Sequence, residues 1–373
     1  MPSSDRRARA GVLAAALGAC VAVAAFVYTR ETPSAAPVAG AQETTRAVEA
    51  RSAGSDAIVR VAAVGDTTLG SDAGLPSSPS ALLRGARRFL VGDVVLGNLE
   101  TALTNGGSSK CAAGGSSCFS FRAPPSFARA LAGAGFTVLN LANNHANDYG
   151  PVGRQQTVTA LRAAGLRTAG RPAEITVVRV GGKRIAILGF APYPWAQDAL
   201  DLSGAAALVR RAAQRADLVI VTAHIGAEGS AYTHVRPGPE VFLGEERGNP
   251  IGFAHTVVNA GADLVAMHGP HVLRALEWYR GRLIAYSLGN FSAFGNFNIA
   301  GSGGISAVLQ ADLHSDGRLA KARLVSLALI GKGEPVADPS RRALAAVRSL
   351  SRADIGRRAP RVLASGEIRP PSG

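Results

Sequence analysis

The fold prediction begins with the segment Thr137-Val-Leu-Asn-Leu-Ala-Asn-Asn-His-Ala-Asn-Asp-Tyr-Gly150, in which a mainly apolar run turns abruptly polar. Residues 137–141 are mostly β-branched or apolar and predict a short buried strand. An amide, Asn144, and an imidazole, His145, follow within a few residues. Ligands of open α/β sheets bind beyond the carboxyl ends of the strands, so this position favours a functional role. The alternative is that the amides only cap the helix that begins near Gly150.

Several other predicted strands also end in polar side chains, and helical segments separate most of them. Strands predicted over 58–64, 94–96, 218–223 and 264–267 each run into an acidic or imidazole residue. The polar residues at the strand ends are Asp66, Glu100, Asn144 with His145, His224, and His268 with His271. The alternation of strands and helices predicts an α/β fold, in which such ends meet at one edge of a sheet.

The side chains at these strand ends suit a divalent metal. Carboxylate oxygen, amide oxygen and imidazole nitrogen together favour manganese, iron or zinc. Because the set holds more than four ligands, it predicts a two-metal site, which can bind both the attacking and the leaving oxygens of a phosphoryl displacement. Single histidines are more often structural, and His234 and His314 lack strand-end positions. His255 lies on a predicted helix, where we expect it to orient a ligand.

Composition limits the classes of partner. The 373 residues are 47% hydrophobic, enough for a large core, and carry a formal net charge of +14. Such a charge favours nucleic acid, lipid head groups or an acidic polymer. The sequence has no zinc-finger motif and no basic patch interleaved with aromatic residues, which argues against nucleic acid. We therefore expect a membrane surface or an anionic polymer as the partner, and no nucleic acid.

The amino-terminal residues predict export. A basic segment, residues 1–10, precedes an uncharged run over 11–28 that predicts a transmembrane anchor or a signal sequence. Arginines before the run keep the amino terminus in the cytoplasm and place the main domain outside the cell membrane. The Leu-Gly-Ala-Cys sequence that ends at Cys20 resembles a lipoprotein cleavage site, so a lipid-anchored protein is an alternative. Cleavage of the segment as an ordinary signal peptide would make the protein secreted. Residues 29–56 are rich in Ala, Ser, Thr and Pro and predict a flexible linker.

The remaining chain predicts one folded domain over 57–331 and a basic carboxyl-terminal segment over 332–373. In that segment we expect one helix over 340–350 and an unstructured, proline-rich end. Cys111 and Cys118 flank a polar loop, and an exported domain favours a disulfide between them over two free thiols. Two cysteines without further ligands make a poor zinc site.

Six motifs in order resemble the capsule biosynthesis protein CapA family, whose members, also called PgsA, take part in making or exporting poly-γ-glutamate. The resemblance runs from about Val59 to Leu329. The motifs are Gly65-Asp66, Asn98-Leu99-Glu100, Asn143-Asn144-His145 with Asp148 and Gly150, His224 with Gly226 and Glu228, Gly269-Pro270-His271-Val272, and Ala285-Tyr-Ser-Leu-Gly-Asn-Phe291.

This family is similar to calcineurin-like metallophosphoesterases, which implies a four-layer α/β/β/α sandwich with a two-metal cleft, in a single domain behind the anchor. By this resemblance His145 corresponds to the acid that assists the leaving group, and Asn144 serves both metal binding and catalysis. The implied metal ligands are Asp66, Glu100, Asn144, His224 and His271, with His268 as a further candidate. Three motif residues are expected to support these ligands: Asn98, Glu228 and Asn290.

Two positions depart from the phosphoesterase pattern. Thr68 stands where the opening aspartate-any-histidine motif has its histidine, which puts one of the two metal positions in question. Gly269 stands where the last motif commonly carries an extra histidine, which makes His271 the safer ligand of that motif.

Two hypotheses about function follow. In the first, the protein is a surface-anchored, metal-dependent hydrolase that acts on a phosphoester or an anionic polymer during capsule synthesis. In the second, it is a non-catalytic component of a membrane complex, with a polymer ligase and export subunits as partners, and its basic surface binds the polymer. The complete ligand set favours the first, whereas Thr68, the anchor and the positive charge favour the second.

Overall fold

The structure is a computed structural model, and it describes residues 57–114, 118–295 and 297–372. The basic segment, anchor and linker predicted over 1–10, 11–28 and 29–56 lie outside the described residues. None of the helices among the described residues has the length and apolar character that a membrane span requires.

The described residues form strands and α-helices that alternate through most of the chain. In chain order the strands are β1 Ile58–Thr68, β2 Val94–Leu99, β3 Ala102–Leu103, β4 Arg122–Ala123, β5 Val138–Asn140, β6 Arg167–Ala169, β7 Thr176–Val180, β8 Lys183–Phe190, β9 Leu218–His224, β10 Glu240–Phe242, β11 Glu245–Gly248, β12 Leu264–His268, β13 Leu276–Tyr279, β14 Arg282–Ala285, β15 Asn290–Ala293, β16 Ile305–His314, β17 Leu319–Ile330, β18 Glu334–Ala337, β19 Arg361–Val362 and β20 Glu367–Arg369. The helices are α1 Pro79–Leu83, α2 Ala128–Ala134, α3 Gly150–Ala163, α4 Leu202–Ala213, α5 Pro250–Asn259 and α6 Arg342–Ile355.

Most of the strands belong to two sheets. The ten-stranded sheet has the order β19-β20-β17-β16-β1-β2-β5-β6, with β15 also paired to β1 and β18 to β17. The six-stranded sheet has the order β13-β14-β12-β9-β8-β7. Strands β1, β2, β5 and β6 are parallel, and so are β8, β9, β12 and β14. Each sheet therefore presents a row of carboxyl-terminal strand ends at one edge.

Three hydrophobic clusters lie between the layers. One lies between the two sheets and combines buried side chains of both, such as Val61 of β1 and Ile220 of β9. A second lies between the six-stranded sheet and helices α4 and α5, with Phe253 at its centre. The third lies between the ten-stranded sheet and helices α1 to α3 and includes Leu131. The sheets thus pack face to face with helices outside them, which is the four-layer α/β/β/α order that the family resemblance implied.

Local signals set the ends of several helices. Helix α4 follows Asp201, whose Oδ1 accepts a hydrogen bond from Gly204 N at 2.9 Å. Helix α5 follows Asn249, which caps Gly252 N at the same distance. Gly135 ends helix α2 in the left-handed conformation, with φ of 112°, and the chain turns from there into β5.

Residues 80–90 have the apolar spacing of a helix, but the helix that they form is short. Helix α1 ends at Leu83, and a single 3-10 turn follows at Arg87–Phe89. Gly85 lies between them and packs closely on β18, because a Cβ there would stand 2.6 Å from Pro335 O. This contact comes from tertiary packing, which periodicity along the chain does not report.

The carboxyl-terminal prediction was wrong in two respects. The segment over 332–373 is not separate from the domain over 57–331, because β18 and β20 pair with β17 and helix α6 covers one end of the inter-sheet cluster. The proline-rich end also contains two short strands, β19 and β20, which extend the ten-stranded sheet. Their buried side chains, Val362 and Ile368, join the inter-sheet cluster, and this burial offsets the cost of ordering the chain.

Candidate metal centre

The carboxyl ends of strands from both sheets meet at one site. Asp66, near the end of β1, lies in register with Asn98 of β2 and with Asn290 of β15. His224 and His268 are register neighbours at the ends of β9 and β12. All five side chains are at most 1% exposed. The ten-stranded sheet thus supplies oxygen ligands and the six-stranded sheet supplies imidazoles.

Asp66 is the centre of this arrangement. Its Oδ1 accepts a hydrogen bond from Asn98 Nδ2 at 2.8 Å, and its Oδ2 accepts one from Gly269 N at 3.1 Å. Its Oδ2 is also 3.1 Å from His271 Nδ1, and its Oδ1 is 3.6 Å from His224 Nδ1. The carboxylate therefore has a fixed orientation and faces imidazole nitrogens on both oxygens.

Two groups of buried side chains can each hold a metal ion, and both include Asp66. One group is Asp66, His224 and His268, and the other is Asp66, Glu100 and His271. Within each group the possible ligand atoms lie within 4.8 Å of one another. Glu100 connects the two groups, because its oxygens are 3.5 Å from His224 Nδ1 and 3.7 Å from His271 Nδ1.

Several side-chain oxygen and nitrogen atoms of the predicted ligands have no hydrogen-bond partner among the described residues, which is consistent with a metal-binding site. Neither oxygen of Glu100 receives a hydrogen bond there, and Asn144 Oδ1 and His224 Nε2 are likewise buried without one. A buried polar atom left unsatisfied costs roughly 1–3 kcal/mol. A divalent cation would satisfy these oxygen and nitrogen atoms together, so the residues present fit such an ion.

Burial and crowding shift the pKa values of the site in opposite directions. Burial raises the pKa of Glu100 well above its ordinary range, and the nearby Asp66 carboxylate adds to the rise. Burial would also raise the pKa of Asp66, yet the surrounding imidazoles, His271 foremost, hold it well below its usual range. Burial opposes charge on His271, but the carboxylates of Glu100 and Asp66 raise its pKa to about 10. Burial lowers the pKa of His268 to about 3. His271 therefore carries a positive charge beside the ionised Asp66, whereas burial keeps Glu100 and His268 uncharged.

The backbone at His271 is unusual for a residue with a side chain. Its φ is 59°, in the left-handed region. Asn290 holds this conformation from two sides, since its Oδ1 is 2.9 Å from His271 Nδ1 and its Nδ2 donates to His271 O at 3.2 Å. Backbone strain that the surroundings enforce is typical of functional positions.

His145 lies in the same cleft and is oriented by Asp148. The Nδ1 of His145 is 2.8 Å from Asp148 Oδ2, and the Phe121 ring packs 4.1 Å from the imidazole. Asp148 is fully buried, accepts a hydrogen bond from Phe121 N at 2.7 Å and pairs with Lys110 Nζ at 2.7 Å. Burial lowers the pKa of His145, and the Asp148 carboxylate opposes this fall. The Nε2 of His145 is thereby left to exchange a proton with a bound molecule.

Glu228 connects the Asn144 side chain to the ligand His271. Its Oε1 accepts a hydrogen bond from Asn144 Nδ2 at 3.2 Å, and its Oε2 lies 3.7 Å from His271 Nε2. Arg247, a buried arginine of β11, pairs with Glu228 Oε1 at 2.7 Å and with Glu245 at 3.2 Å. The Asn144 amide is thus held by its nitrogen, and its oxygen is free to face a metal.

Asn144, His145 and His271 line a cleft of about 620 Å³, which is large enough for a small organic substrate. Aromatic side chains form much of its wall: Phe121, Tyr193, Trp195, Phe242 and Phe297. Lys110 and Arg247 are its lysine and arginine side chains, His271 adds a third cation, and Glu228 and Glu245 are its acidic side chains.

The structure brings most of the predicted site residues together, with one exception. Asn98, Glu228 and Asn290 contact the predicted ligands, as described above. His255 does not orient a ligand: its Nε2 is 2.9 Å from Glu277 Oε2, and its ring stacks on Tyr279 at 3.8 Å. The prediction for His255 was wrong because the position along a helix does not show which neighbour that face of the helix meets.

Thr68, which replaces the motif histidine, lies on β1 two residues after Asp66. Its Oγ1 is buried and has no hydrogen-bond partner among the described residues. It belongs to neither of the two groups that can hold a metal, so their ligands come from other positions.

Three residues of the site had no role in the sequence prediction. The position of Asp148, three residues after His145 in one motif, was a usable signal for a carboxylate that orients the imidazole. Lys110 and Arg247 offered no such signal, because only the folded chain brings them beside Asp148 and Glu228.

Cys111 and Cys118 are joined by a disulfide with an S–S distance of 2.00 Å. The bridge follows directly after Lys110, and Cys118 itself lies in the wall of the cleft. It therefore closes the loop that begins directly after Lys110, the cation paired with Asp148.

Comparison with known proteins relates the chain to proteins of capsule synthesis. "Capsule biosynthesis protein CapA" of Bacillus anthracis is 35% identical over 190 residues, which cover 44% of this chain and 41% of that protein. "PGA biosynthesis protein CapA" of Bacillus subtilis is 30% identical, with 54% of each chain covered. "Probable polyglutamine synthesis accessory protein" Rv0574c of Mycobacterium tuberculosis is 33% identical, over 53% of this chain and 55% of that protein. The matched part thus spans about half the length of these relatives.

Solved structures show weaker similarity. A hypothetical protein from Thermus thermophilus aligns with a TM-score of 0.43 and 17% identity, over 72% of this chain and 98% of that one. A 5'-nucleotidase precursor from the same organism aligns with a TM-score of 0.40 and 14% identity, over 81% of this chain and 60% of that one.

The family comparison covers most of the described domain. The model of the bacterial capsule synthesis protein PGA_cap matches residues 60–294, which is more than half of the chain and includes every predicted metal ligand. This chain therefore belongs to the bacterial capsule synthesis protein family PGA_cap.

Proposed function

We propose that this protein is a metal-dependent hydrolase of the phosphoesterase type that acts in the synthesis of an anionic capsule polymer. The observation that carries the proposal is Asp66, which belongs to two adjoining groups of buried metal-binding side chains. Two adjoining groups that share a carboxylate fit a two-metal hydrolytic site, in which the metal ions lie close together. The names of the relatives, which refer to capsule and PGA synthesis, support the polymer part of the proposal.

In this proposal two divalent ions, manganese, iron or zinc, bind the residues of the two groups together with Asn144 Oδ1. When bound, such ions polarise the scissile group and activate the attacking water. Asn98 and Gly269 N hold Asp66 in place for this role, and Asn290 holds His271.

His145 supplies the proton that the leaving group needs. In the hydrolysis of a phosphoester, the water oxygen forms a bond to phosphorus, the ester P–O bond breaks, and the leaving oxygen takes up a proton. We assign that proton to His145 Nε2, because Asp148 holds the other ring nitrogen. An anionic substrate group beside the imidazole adds to the attraction of Asp148 and favours the protonated form. The proton released by the water then restores His145.

The proposal also includes the place of action. We infer that residues 11–28 anchor the chain and that the domain lies outside the cell, next to ligase and export subunits of a polymer synthesis complex. The disulfide between Cys111 and Cys118 supports an oxidising compartment. The net charge of +14 supports an anionic polymer or membrane surface as the partner.

The first test is the metal content of the full chain after purification in buffer with manganese, measured by elemental analysis. We expect about two metal ions per chain and hydrolysis of bis(p-nitrophenyl) phosphate that a chelator removes and manganese restores. A chain without tightly bound metal would contradict the proposal. It would favour the second candidate, a non-catalytic polymer-binding protein, for which Thr68 and the positive charge are the supporting observations.

Asn144→Ala is expected to abolish this hydrolysis and leave the fold intact. The variant removes the buried Oδ1 that has no partner, and it leaves Glu228 paired with Arg247. Circular dichroism should match that of the wild type, and so should the melting temperature when both proteins are measured in chelator. Asn259→Ala is the matched control, since Asn259 bonds only the Tyr279 hydroxyl among the described residues. Full activity in Asn144→Ala would contradict the catalytic role assigned to Asn144.

Asp148→Asn is expected to lower kcat by about a hundredfold while the metal content stays unchanged, because outer partners of active-site groups typically contribute 10–100-fold. The amide would still fill the space, but it would no longer stabilise a protonated His145 or pair with Lys110. Elemental analysis checks the metal content, and steady-state kinetics checks kcat. Asp198→Asn, a carboxylate that bonds Leu200 N outside the site, is the control. An unchanged kcat would show that Asp148 is not needed to orient the imidazole.

A further inference from the structure

A second cavity adjoins the cleft of the metal centre. Its volume is about 430 Å³, and Trp195 lines both the cavity and the cleft. The cavity lies between the first turns of α3 and the loop that follows β6. None of the predicted metal ligands lines the cavity.

The charge of this cavity differs from that of the cleft. Its lining includes two arginines, Arg154 and Arg171, and no acidic residue. The cleft, in contrast, combines its cations with Glu228 and Glu245. A concave site with cations and no carboxylates attracts anions.

Arg154 is the arginine whose charge is available. Its guanidinium is half-buried and bonds the amide oxygen of Asn147, and among the described residues it forms no ion pair with a carboxylate. Arg171, in contrast, is exposed and pairs with Glu174 Oε1 at 2.8 Å. Burial lowers the pKa of Arg154, and no acidic neighbour opposes it. A bound anion would offset this cost of burying a charge.

Part of the remaining wall is apolar and stiff, and Thr101, Gln155 and Thr157 line the rest. Pro151, Pro172 and Pro194 line it beside the Trp195 ring. The indole is fixed, because its Nε1 donates to Asn143 O at 2.9 Å and Tyr193 stacks on its other side at 5.1 Å between ring centroids. Such walls suit the methylene groups of an aliphatic acid and offer little to a bare inorganic ion.

We propose that this cavity is a second binding subsite, which takes a carboxylate-bearing unit of an extended acidic polymer whose neighbouring part lies at the metal centre. Arg154 binds the carboxylate through its planar pair of N–H groups, and the prolines and Trp195 contact the aliphatic part. The inference rests on the proposed function for the nature of the polymer. The subsite itself is defined by the cavity and its charge.

The test uses hexaglutamate as the probe and Trp195 as the reporter. The chain has two tryptophans, so Trp278→Phe leaves Trp195 as the sole indole. We expect hexaglutamate to change the Trp195 fluorescence saturably in this full-length protein. Adding Arg154→Met should weaken binding at least about tenfold, which corresponds to roughly 1.4 kcal/mol. Arg162→Met is the matched control, because Arg162 lies exposed on the same helix and outside the cavity, and it should change affinity by less than about twofold.

Further measurements separate this proposal from the proposed function. Arg154→Met should retain the metal content, the melting temperature and the hydrolysis of bis(p-nitrophenyl) phosphate, which has no carboxylate for Arg154 to bind. If the wild type binds hexaglutamate through Arg154 but hydrolyses nothing, the proposed function fails and the subsite stands. Equal loss of binding in the Arg154 and Arg162 variants would show general charge attraction and overturn the subsite. An Arg154-dependent response to inorganic phosphate that equals the response to hexaglutamate would also overturn it.

Discussion

Asp66→Asn is expected to eliminate metal binding at both positions and to lower hydrolysis by at least about a thousandfold. Asp66 is the one residue that both metal-binding groups contain, so its loss removes a ligand from each. An amide keeps the size of the side chain, but it cannot offer two anionic oxygens to two cations. Metal ions contribute several kcal/mol to stabilisation of the transition state, and about 4 kcal/mol corresponds to a thousandfold in rate.

Thermal unfolding with and without chelator measures the loss of metal binding in Asp66→Asn independently of activity. Metal that binds only the folded state at a hundred times its Kd stabilises that state by about 2.7 kcal/mol. The melting temperature of the wild type should therefore fall when EDTA is added, whereas that of Asp66→Asn should not respond. Asp93→Asn is a suitable control, because Asp93 pairs with Arg60 at the start of β2, away from the ligands. Metal content of about two ions in Asp66→Asn would show that the two groups do not share this carboxylate.

Gly65→Ala is expected to cause the largest loss of stability among the single substitutions considered. Gly65 lies in β1, directly before Asp66, and a Cβ there would stand 1.8 Å from Gly289 O. The clash is with backbone that accepts a hydrogen bond from Asp66 N at 2.9 Å, so no side-chain rotation can relieve it. Overpacking in a core costs 1–3 kcal/mol and occasionally more, and we expect a loss of about 3 kcal/mol or greater.

Chemical denaturation of the full chain gives the free energy of unfolding that this prediction concerns. The matched control is Gly133→Ala on helix α2, where an added Cβ has no heavy atom within 4 Å. The same change of residue should there raise stability by about 0.5–1 kcal/mol, because alanine favours a helix. If the free energy of unfolding falls in Gly65→Ala and rises in Gly133→Ala, the loss at Gly65 is due to its close backbone contact. Equal, small effects would mean that β1 and the loop before β15 can move apart.

The strand ends could be predicted from sequence because one rule applies to all of them. Asp66, His224 and His268 each follow or end an apolar run, and parallel strands present their carboxyl ends on the same side. Asn144 and Glu100 follow the same rule from β5 and β2. That these ends come from two different sheets could not be read from periodicity and followed only from the family resemblance.

The parts that were missed depend on contacts between distant segments. His255 has the residue type of a ligand, but its helix turns it towards Glu277. Arg247 lies on a short strand with no pattern of its own, and its burial against Glu228 follows from packing. The strands β19 and β20 are too short to show alternation, and only pairing with β17 gives them their structure.

The position of β1 bears on the order of events during folding. Asp66 must meet Gly269, which lies 203 residues later in the chain, before the site can form. Strands β15 and β16, which both pair with β1, also come late in the sequence. The chain loses conformational entropy when such long loops close, before the contacts between their ends stabilise the fold. Chains with this topology therefore fold slowly. In a nascent chain, Asp66 and Glu100 would therefore be separate, weak ligands. The chain would bind metal tightly only after the whole domain has folded.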